Sequence, residues 1–330
     1  MDFEDILGHD MIKKSFKSAI KTGNISHSYI FEGPRGSGKK MMAKVLGKTL
    51  LCEKAGEAPC NRCPSCLKFD TENHPDFYII NPEGNSFKKD KIELLQKEIM
   101  TKPYEGKRKI FILEDGDKMT LTAQNKFLKT LEEPPNYVII IIICKNSGDM
   151  LPTILSRSQL IRFSPVNNDM IIDMLVKNYD ISKENALILT AFSHGLVGRA
   201  IKLVQSEYFK TLREDTLSII MEIMDGDKIK VFTRSDFFQD KKEEIGEILD
   251  ILLLWFRDLL LIKSDGHQEL IINRDKLDKL NYYGNTISVE SIYDIIDTIT
   301  ATKEDIKSNI SFQLAIETML LKIQEVKNIW

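Results

Sequence analysis

A glycine-rich segment, GPRGSGKK at residues 33–40, has the spacing of a phosphate-binding loop. It fits the pattern G-x-x-x-x-G-K through Lys39, follows an apolar run and precedes a helical pattern. In such a loop the glycines let backbone N–H groups face phosphate oxygens at a helix N-terminus, and the lysine reaches the β- and γ-phosphates. The sequence predicts a nucleotide-phosphate cradle, and a glycine-rich turn that holds no nucleotide is the alternative. The predicted loop residues are Gly33, Pro34, Arg35, Gly36, Ser37, Gly38, Lys39 and Lys40.

The magnesium ligands of this predicted site are altered. The residue after Lys39 should carry a hydroxyl that binds Mg²⁺, but it is Lys40, which adds a positive charge instead. The apolar run at 109–113 ends in Glu114 and Asp115, where an acidic pair would hold the metal and activate water, although the usual order is Asp then Glu. A solvated turn is the alternative for these acids. We expect a degenerate site with doubtful Mg²⁺ binding and weak or absent ATPase activity, and binding of ATP or ADP stays open.

Four cysteines form a second candidate site, with the arrangement C-x7-C-x2-C-x2-C. Four thiolates at ~2.3 Å complete a tetrahedral zinc shell, so no position is left for a catalytic water. We predict a structural Zn²⁺ held by Cys52, Cys60, Cys63 and Cys66. His74 is unnecessary to this set, and Cys144 is expected to be a core thiol.

Residues 1–165 alternate short apolar runs with helical patterns, which is typical of an α/β fold with helices on both faces of a parallel sheet. The run of five isoleucines at 139–143 predicts a strand buried on both faces. Predicted strands lie at 28–32, 77–81, 109–113, 137–144 and 159–163. Predicted helices lie at 10–22, 39–52, 89–101 and 120–133.

Helical periodicity dominates after residue 165. A small helical unit is expected at 167–205, and a larger helical domain follows, with patterns at 211–224, 243–263, 288–300 and 305–327. Charged segments at 225–230 and 264–268 are predicted to be loops.

Charge and hydropathy exclude several classes of protein. Residues 1–165 carry 26 basic and 21 acidic side chains, and the remaining residues carry 20 basic and 28 acidic ones. These charges are too evenly balanced for strong nucleic-acid binding by charge alone. The acidic start does not resemble a signal peptide, and the most apolar C-terminal stretch contains Asp250, Arg257 and Asp258. We therefore expect a cytoplasmic protein with reduced thiols.

Four stretches of the chain together resemble the clamp-loader subunits of bacterial DNA polymerase III, within the AAA+ superfamily. They are HSYIFEGPRGSGK at 27–39, the four-cysteine insert at 52–66, NKFLKTLEEPP at 125–135 and LPTILSRS at 151–158. The resemblance implies an AAA+ domain at 1–165 with a five-stranded parallel sheet, a helical lid at 166–207 and an all-α collar for oligomerisation at 208–330.

The resemblance also implies a role for Arg157. In this family the arginine of the Leu-Ser-Arg motif reaches the ATP of a neighbouring subunit, and a guanidinium suits the γ-phosphate. The altered phosphate loop indicates the non-motor stator member of the family. Its implied partners are the gamma/tau motor and delta subunits, the sliding clamp and primed DNA, in the bacterial nucleoid.

Some assignments stay open at this point. Cys144 aligns with the family's polar sensor residue, and Gly198 takes the place of its phosphate-sensing arginine, so Arg199 receives no nucleotide role. Arg157 could be an ordinary surface arginine. The alternative functions are an active motor of the same superfamily and a zinc-module adaptor that binds nucleic acid.

Overall fold

The computed structural model describes residues 1–54, 56–84, 86–226, 228–264, 268–308 and 310–325. The chain forms two compact units. The first comprises Met1–Ile171 with Gly195–Arg199, and the second comprises Ile172–His194 with the described residues from Ala200 onward. The division into three domains at residues 165 and 207 stays a prediction.

A five-stranded parallel sheet forms the centre of the first unit. Its strands are β1 (Ser28–Glu32), β2 (Phe77–Ile80), β3 (Lys109–Leu113), β4 (Val138–Cys144) and β5 (Gln159–Arg162), in the spatial order β2-β3-β4-β1-β5. Every residue of β4 is buried, as the isoleucine run predicts, because helices cover both faces of the sheet. The carboxyl ends of β1, β3 and β4 lie at one edge of the sheet. The predicted loop and acidic residues follow these ends.

Helices pack on both faces of this sheet. They are α1 (Asp10–Thr22), α2 (Lys39–Leu51), α3 (Pro64–Asp70), α4 (Lys89–Ile99), α5 (Leu121–Glu132) and α6 (Pro152–Leu155). One apolar core joins the sheet to α1 and α2 through residues such as Phe16 and Met42, and a second joins it to α4 and α5 through Ile92 and Phe127. Helix α5 ends before Pro134–Pro135, as predicted, because proline cannot continue a helix. Helix α3 begins at the end of the cysteine insert, runs to Asp70 and was not predicted.

Helices follow from residue 168 to the end of the described chain. They are α7 (Asn168–Tyr179), α8 (Lys183–Ser193), α9 (Val197–Val204), α10 (Glu207–Asp225), α11 (Lys228–Asp240), α12 (Ile245–Lys263), α13 (Leu277–Thr286), α14 (Val289–Lys307) and α15 (Phe312–Glu325). The described residues after β5 contain no strand, as predicted. Within the described ranges, no helix has the length and apolarity needed to cross a membrane.

The predicted loop at 225–230 is wrong at both ends, because α10 runs to Asp225 and α11 begins at Lys228. Helix α11 has weak sequence periodicity, and only Val231, Ser235 and Phe238 are buried along it. Tertiary packing against α15 therefore stabilises a helix that its own sequence only weakly favours. The predicted loop at 264–268 lies partly outside the described residues. The predicted helix at 305–327 is wrong as a single element, because α14 ends at Lys307 and α15 begins at Phe312, and residues 309, 326 and 327 lie outside the described residues.

Candidate functional site

The glycine-rich loop connects β1 to α2, which is the strand–loop–helix context that the motif requires. Gly36 and Gly38 have φ angles of 87° and 93°, in the left-handed region that glycine adopts without strain. A Cβ atom on Gly33 would lie 2.4 Å from the carbonyl oxygen of Phe163, so a side chain does not fit there. The loop therefore has the backbone shape of a phosphate cradle.

Lys39 is directed at its own loop. Its Nζ donates hydrogen bonds to the carbonyl oxygens of Gly33 at 2.5 Å and Pro34 at 2.7 Å. Burial lowers the pKa of Lys39, and the nearby charges of Asp117 and Asp115 partly offset that shift. Lys39 therefore begins α2, with its ammonium bonded to carbonyl oxygens of the loop, and its phosphate-binding role stays a prediction.

The structure brings the two acids after β3 into contact with the loop. The Nζ of Lys40 lies 2.5 Å from Oε1 of Glu114, and the guanidinium of Arg35 lies 3.4 Å from a carboxylate oxygen of Asp115. Asp115 also pairs with Lys118 at 2.9 Å. Partial burial alone would raise the pKa of Asp115, but Lys118 and Arg35 hold it below its ordinary value.

These contacts decide whether the residues fit a magnesium ion. Mg²⁺ requires oxygen ligands, but position 40 supplies an ammonium instead of a hydroxyl. The same ammonium binds Glu114, and Asp115 is bound by two other cations. The donor set does not fit Mg²⁺.

Glu32, at the end of β1, organises a polar network that sequence reasoning missed. Its Oε1 accepts hydrogen bonds from the backbone N–H and the hydroxyl of Ser147, both at 2.9 Å, and its Oε2 pairs with Arg162 at 3.1 Å. The Ser147 backbone bond is the main cause that lowers the pKa of Glu32. Cys144 lies beside Glu32 in the sheet register and is a buried thiol, whose pKa burial raises to about 12. A charged residue at the end of an apolar strand is the signal that could have found Glu32.

Gly198 contacts the phosphate loop by its backbone. Its N–H donates a 2.9 Å hydrogen bond to the carbonyl oxygen of Gly36, and a Cβ atom on Gly198 would lie 3.0 Å from Gly36 Cα. A side chain at position 198 would therefore be crowded against the backbone of the phosphate loop.

The four predicted cysteines converge. Their Sγ atoms all lie within 4.8 Å of one another, with Cys52 and Cys63 4.0 Å apart, and all are free thiols. A tetrahedron of metal–sulfur bonds has edges of about 3.8 Å, so this sulfur set fits a zinc ion. Backbone N–H groups of Arg62 and Cys63 lower the pKa of Cys60 to about 6, which favours the thiolate, whereas burial raises the pKa of Cys52 and Cys66.

Lys48 of α2 supports the cysteine insert, and the sequence analysis did not identify it. Its side chain is fully buried, and its Nζ lies 2.6 Å from Oδ1 of Asn61 and 2.7 Å from both carboxylate oxygens of Asp70. Asn61 lies between Cys60 and Cys63 with a left-handed φ of 56°. The helix that begins in the phosphate loop is thus bonded to the cysteine loop.

His74 lies outside the sulfur set, as expected. It is buried, and its ring contacts the hydroxyl of Ser65 at 3.0 Å and the backbone N–H of Asp76 at 3.1 Å. Because Ser65 donates to the carbonyl oxygen of Leu51, the ring nitrogen Nε2 is the donor and Nδ1 the acceptor. Burial lowers the pKa of His74, in keeping with a neutral ring.

Arg157 lies between α6 and the edge strand β5, with 36% of its side chain exposed. Its guanidinium pairs with Glu132 at 3.0 Å and donates to the carbonyl oxygen of Thr153 at 3.0 Å. The next residue, Ser158, shares a 2.7 Å hydrogen bond with the hydroxyl of Ser28 at the start of β1. The residue after Arg157 is therefore bonded to the start of β1, while the charged group of Arg157 reaches the surface.

A glycine-rich phosphate loop after β1 and acids after β3, with β4 between these two strands, are the arrangement of a P-loop α/β fold, here with an altered cation site. Family models described as "DNA polymerase III, delta subunit" and "DNA polymerase III, delta subunit, C terminal" match residues 8–167 and 207–325. DNA polymerase III subunit delta′ of Bacillus subtilis is 30% identical over 319 residues, covering 95% of each chain. The chain belongs to the delta-prime family of DNA polymerase III subunits, as the resemblance predicted.

Other relatives are similar over different lengths. The tau subunit of Bacillus subtilis is 26% identical over 97% of this chain and 61% of its own length. A solved gamma-subunit-related protein of DNA polymerase III from Thermotoga maritima is 18% identical, with a TM-score of 0.44 over 96% of this chain and 99% of its own. The sequence similarity to the delta′ and tau subunits supports a clamp-loader role.

Proposed function

We propose that this chain is the non-motor, stator subunit of a DNA polymerase III clamp loader, and that it lends Arg157 to the ATP site of a neighbouring subunit. The observation that carries the proposal is the ion pair between Lys40 and Glu114. It uses the two positions that a hydrolytic site needs for magnesium, so this chain's own loop has no means of activating a phosphate. An active motor would need a hydroxyl at position 40 and an acid at position 114 that is available to the metal.

Arg157 has the properties of a residue that acts across a subunit boundary. It lies beside an edge strand, is partly exposed, and is bound by one carboxylate, one carbonyl oxygen and the hydroxyl of Ser156. A neighbouring γ-phosphate is a stronger partner for a guanidinium than a half-exposed carboxylate, because its charge is larger and its oxygens accept paired hydrogen bonds. Arg157 would stabilise the charge that develops on that phosphate during hydrolysis.

We propose that Cys52, Cys60, Cys63 and Cys66 hold a structural zinc ion. When bound, the ion would fix the loop between α2 and α3, and four sulfur ligands would leave it no open position for catalysis.

The alternative function, an adaptor that binds nucleic acid through this insert, is disfavoured. The one aromatic residue of the insert and α3, Phe69, is buried with its ring 4.3 Å from that of Phe77, so it offers no stacking surface.

The proposed partners are the gamma/tau and delta subunits, with the sliding clamp and primed DNA in the assembled complex. We place the protein in the cytoplasm, at the replisome, and assign oligomerisation to the helices after residue 207. Large apolar side chains on these helices support this assignment, since Phe232, Tyr293 and Leu314 are each more than half exposed.

The test is reconstitution with candidate motor and delta subunits, followed by measurement of DNA-stimulated ATP hydrolysis. We expect Arg157→Ala to leave assembly intact and to lower hydrolysis by about 10³-fold or more. The matched control is Arg162→Ala, because Arg162 is a more exposed arginine that pairs with Glu32 of its own chain. An unchanged rate in the Arg157→Ala complex would remove the proposed role, and so would an equal loss in the control.

A further inference from the structure

We propose that the Lys40 ammonium is a resident substitute for the divalent cation of a phosphate loop. It ties the first turn of α2 to the end of β3 through Glu114, and in doing so makes this loop independent of magnesium. The inference concerns the chain's own loop and does not depend on where Arg157 points.

The geometry at the loop supports this inference. In a hydrolytic P-loop protein, Mg²⁺ is held by the hydroxyl after the loop lysine and by an acid at the end of another strand of the same sheet. Here one side chain spans the same two positions, because Lys40 is the second residue of α2 and Glu114 directly follows β3. The ammonium and the carboxylate oxygen are in direct contact at 2.5 Å.

A second ion pair joins the phosphate loop to the end of β3. Arg35, within the loop, pairs with Asp115, so Glu114 and Asp115 are each paired with a cation from residues 33–40. A magnesium ion would have to displace Lys40 from Glu114 and would then meet the ammonium at close range, which costs free energy through like-charge repulsion. Metal is therefore excluded by charge as well as by the missing hydroxyl.

The cradle itself is otherwise formed. In the part of the chain that the structure describes, the backbone N–H groups of Gly38 and Lys39 have no hydrogen-bond acceptor. The loop glycines keep their left-handed conformations. The altered residue is thus at the cation position, and we attribute the loss of magnesium dependence to Lys40.

The decisive experiment is a titration of the full chain with a fluorescent ATP analogue, with Mg²⁺ and with EDTA. We expect the wild type to show the same affinity in both conditions, or no binding in either. Lys40→Thr supplies the hydroxyl and frees Glu114, so it should bind the analogue about tenfold or more tightly with Mg²⁺ than with EDTA. The matched control is Lys44→Thr, one turn along α2, whose ion pair with Glu72 lies at the surface, and it should behave as the wild type.

Two results would overturn the inference. One is a wild-type affinity that rises about tenfold with Mg²⁺, and the other is a folded Lys40→Thr variant that gains no magnesium dependence.

A second measurement addresses the ion pair between Lys40 and Glu114. Hydrogen exchange in the loop should rise by about two- to fivefold in Lys40→Met and in Glu114→Gln, with no further rise in the double variant. Additive effects in the double variant would show that the two side chains act separately.

Discussion

Replacing Lys48 with methionine tests how the zinc insert is attached to the rest of the first unit. The change removes a fully buried ammonium with three hydrogen bonds, one to Asn61 and two to Asp70. Loss of one partner of a buried pair costs about 3–5 kcal/mol, but 40% of the Asp70 side chain is exposed and water can solvate it. We therefore expect a loss of about 2–3 kcal/mol in the free energy of opening the insert.

This loss corresponds to an increase of about 30- to 150-fold in the open population of the insert. The assay is the rate of zinc transfer from the full chain to a chromogenic chelator, under conditions in which opening precedes transfer. The control is Lys44→Met on the same helix, which removes a surface pair and should change the rate less than about threefold. A Lys48→Met variant that binds zinc and releases it at the wild-type rate would refute this account of the insert.

Three further predictions follow from the site geometry. Asp76 accepts three backbone N–H bonds from residues 104–106, which outweigh burial and lower its pKa, so its stabilisation is present above pH 3.8 and is lost as the pH falls through the lower folded value. Hydrogen exchange at 104–106 should show this acid-induced loss in the wild type but not in Asp76→Asn. Cys60→Ser should reduce bound zinc measured by atomic emission, and full zinc occupancy with unchanged affinity would contradict the four-sulfur set. Glu132→Gln should raise hydrolysis in the reconstituted complex by about two- to fivefold, because Arg157 no longer leaves an ion pair, and a fall in rate would contradict that reasoning.

Much of the sheet could be predicted from the sequence because its signals are local. The isoleucine run predicted a strand covered on both faces, and β4 is the fully buried strand between β1 and β3. The spacing of the glycines predicted a phosphate loop between a strand and a helix. This signal is local, because glycine itself permits the left-handed conformations that Gly36 and Gly38 adopt. The cysteine spacing likewise predicted the convergence of four sulfur atoms.

The remaining contacts of the site depend on residues far apart in the chain. The sequence placed Lys40 at a cation position, but its partner is 74 residues away, and only the order of β1, β4 and β3 brings Glu114 to it. The partners of Lys48, 13 and 22 residues away, are set by the path of the cysteine loop. The ion pair of Arg157 with Glu132 joins the segment between α6 and β5 to the end of α5, and no local pattern specifies that contact. Such pairings follow from tertiary structure, so sequence patterns predict the residues and not their contacts.

The central claim is that this chain has lost its own cation site and lends a guanidinium to its neighbour. The most direct test is a structure of the assembled clamp loader with a non-hydrolysable ATP analogue and magnesium. We predict that the Arg157 guanidinium lies within about 3 Å of the neighbouring γ-phosphate, with Lys40 still on Glu114. A magnesium nucleotide in this chain's own loop, with Arg157 facing solvent, would contradict the account.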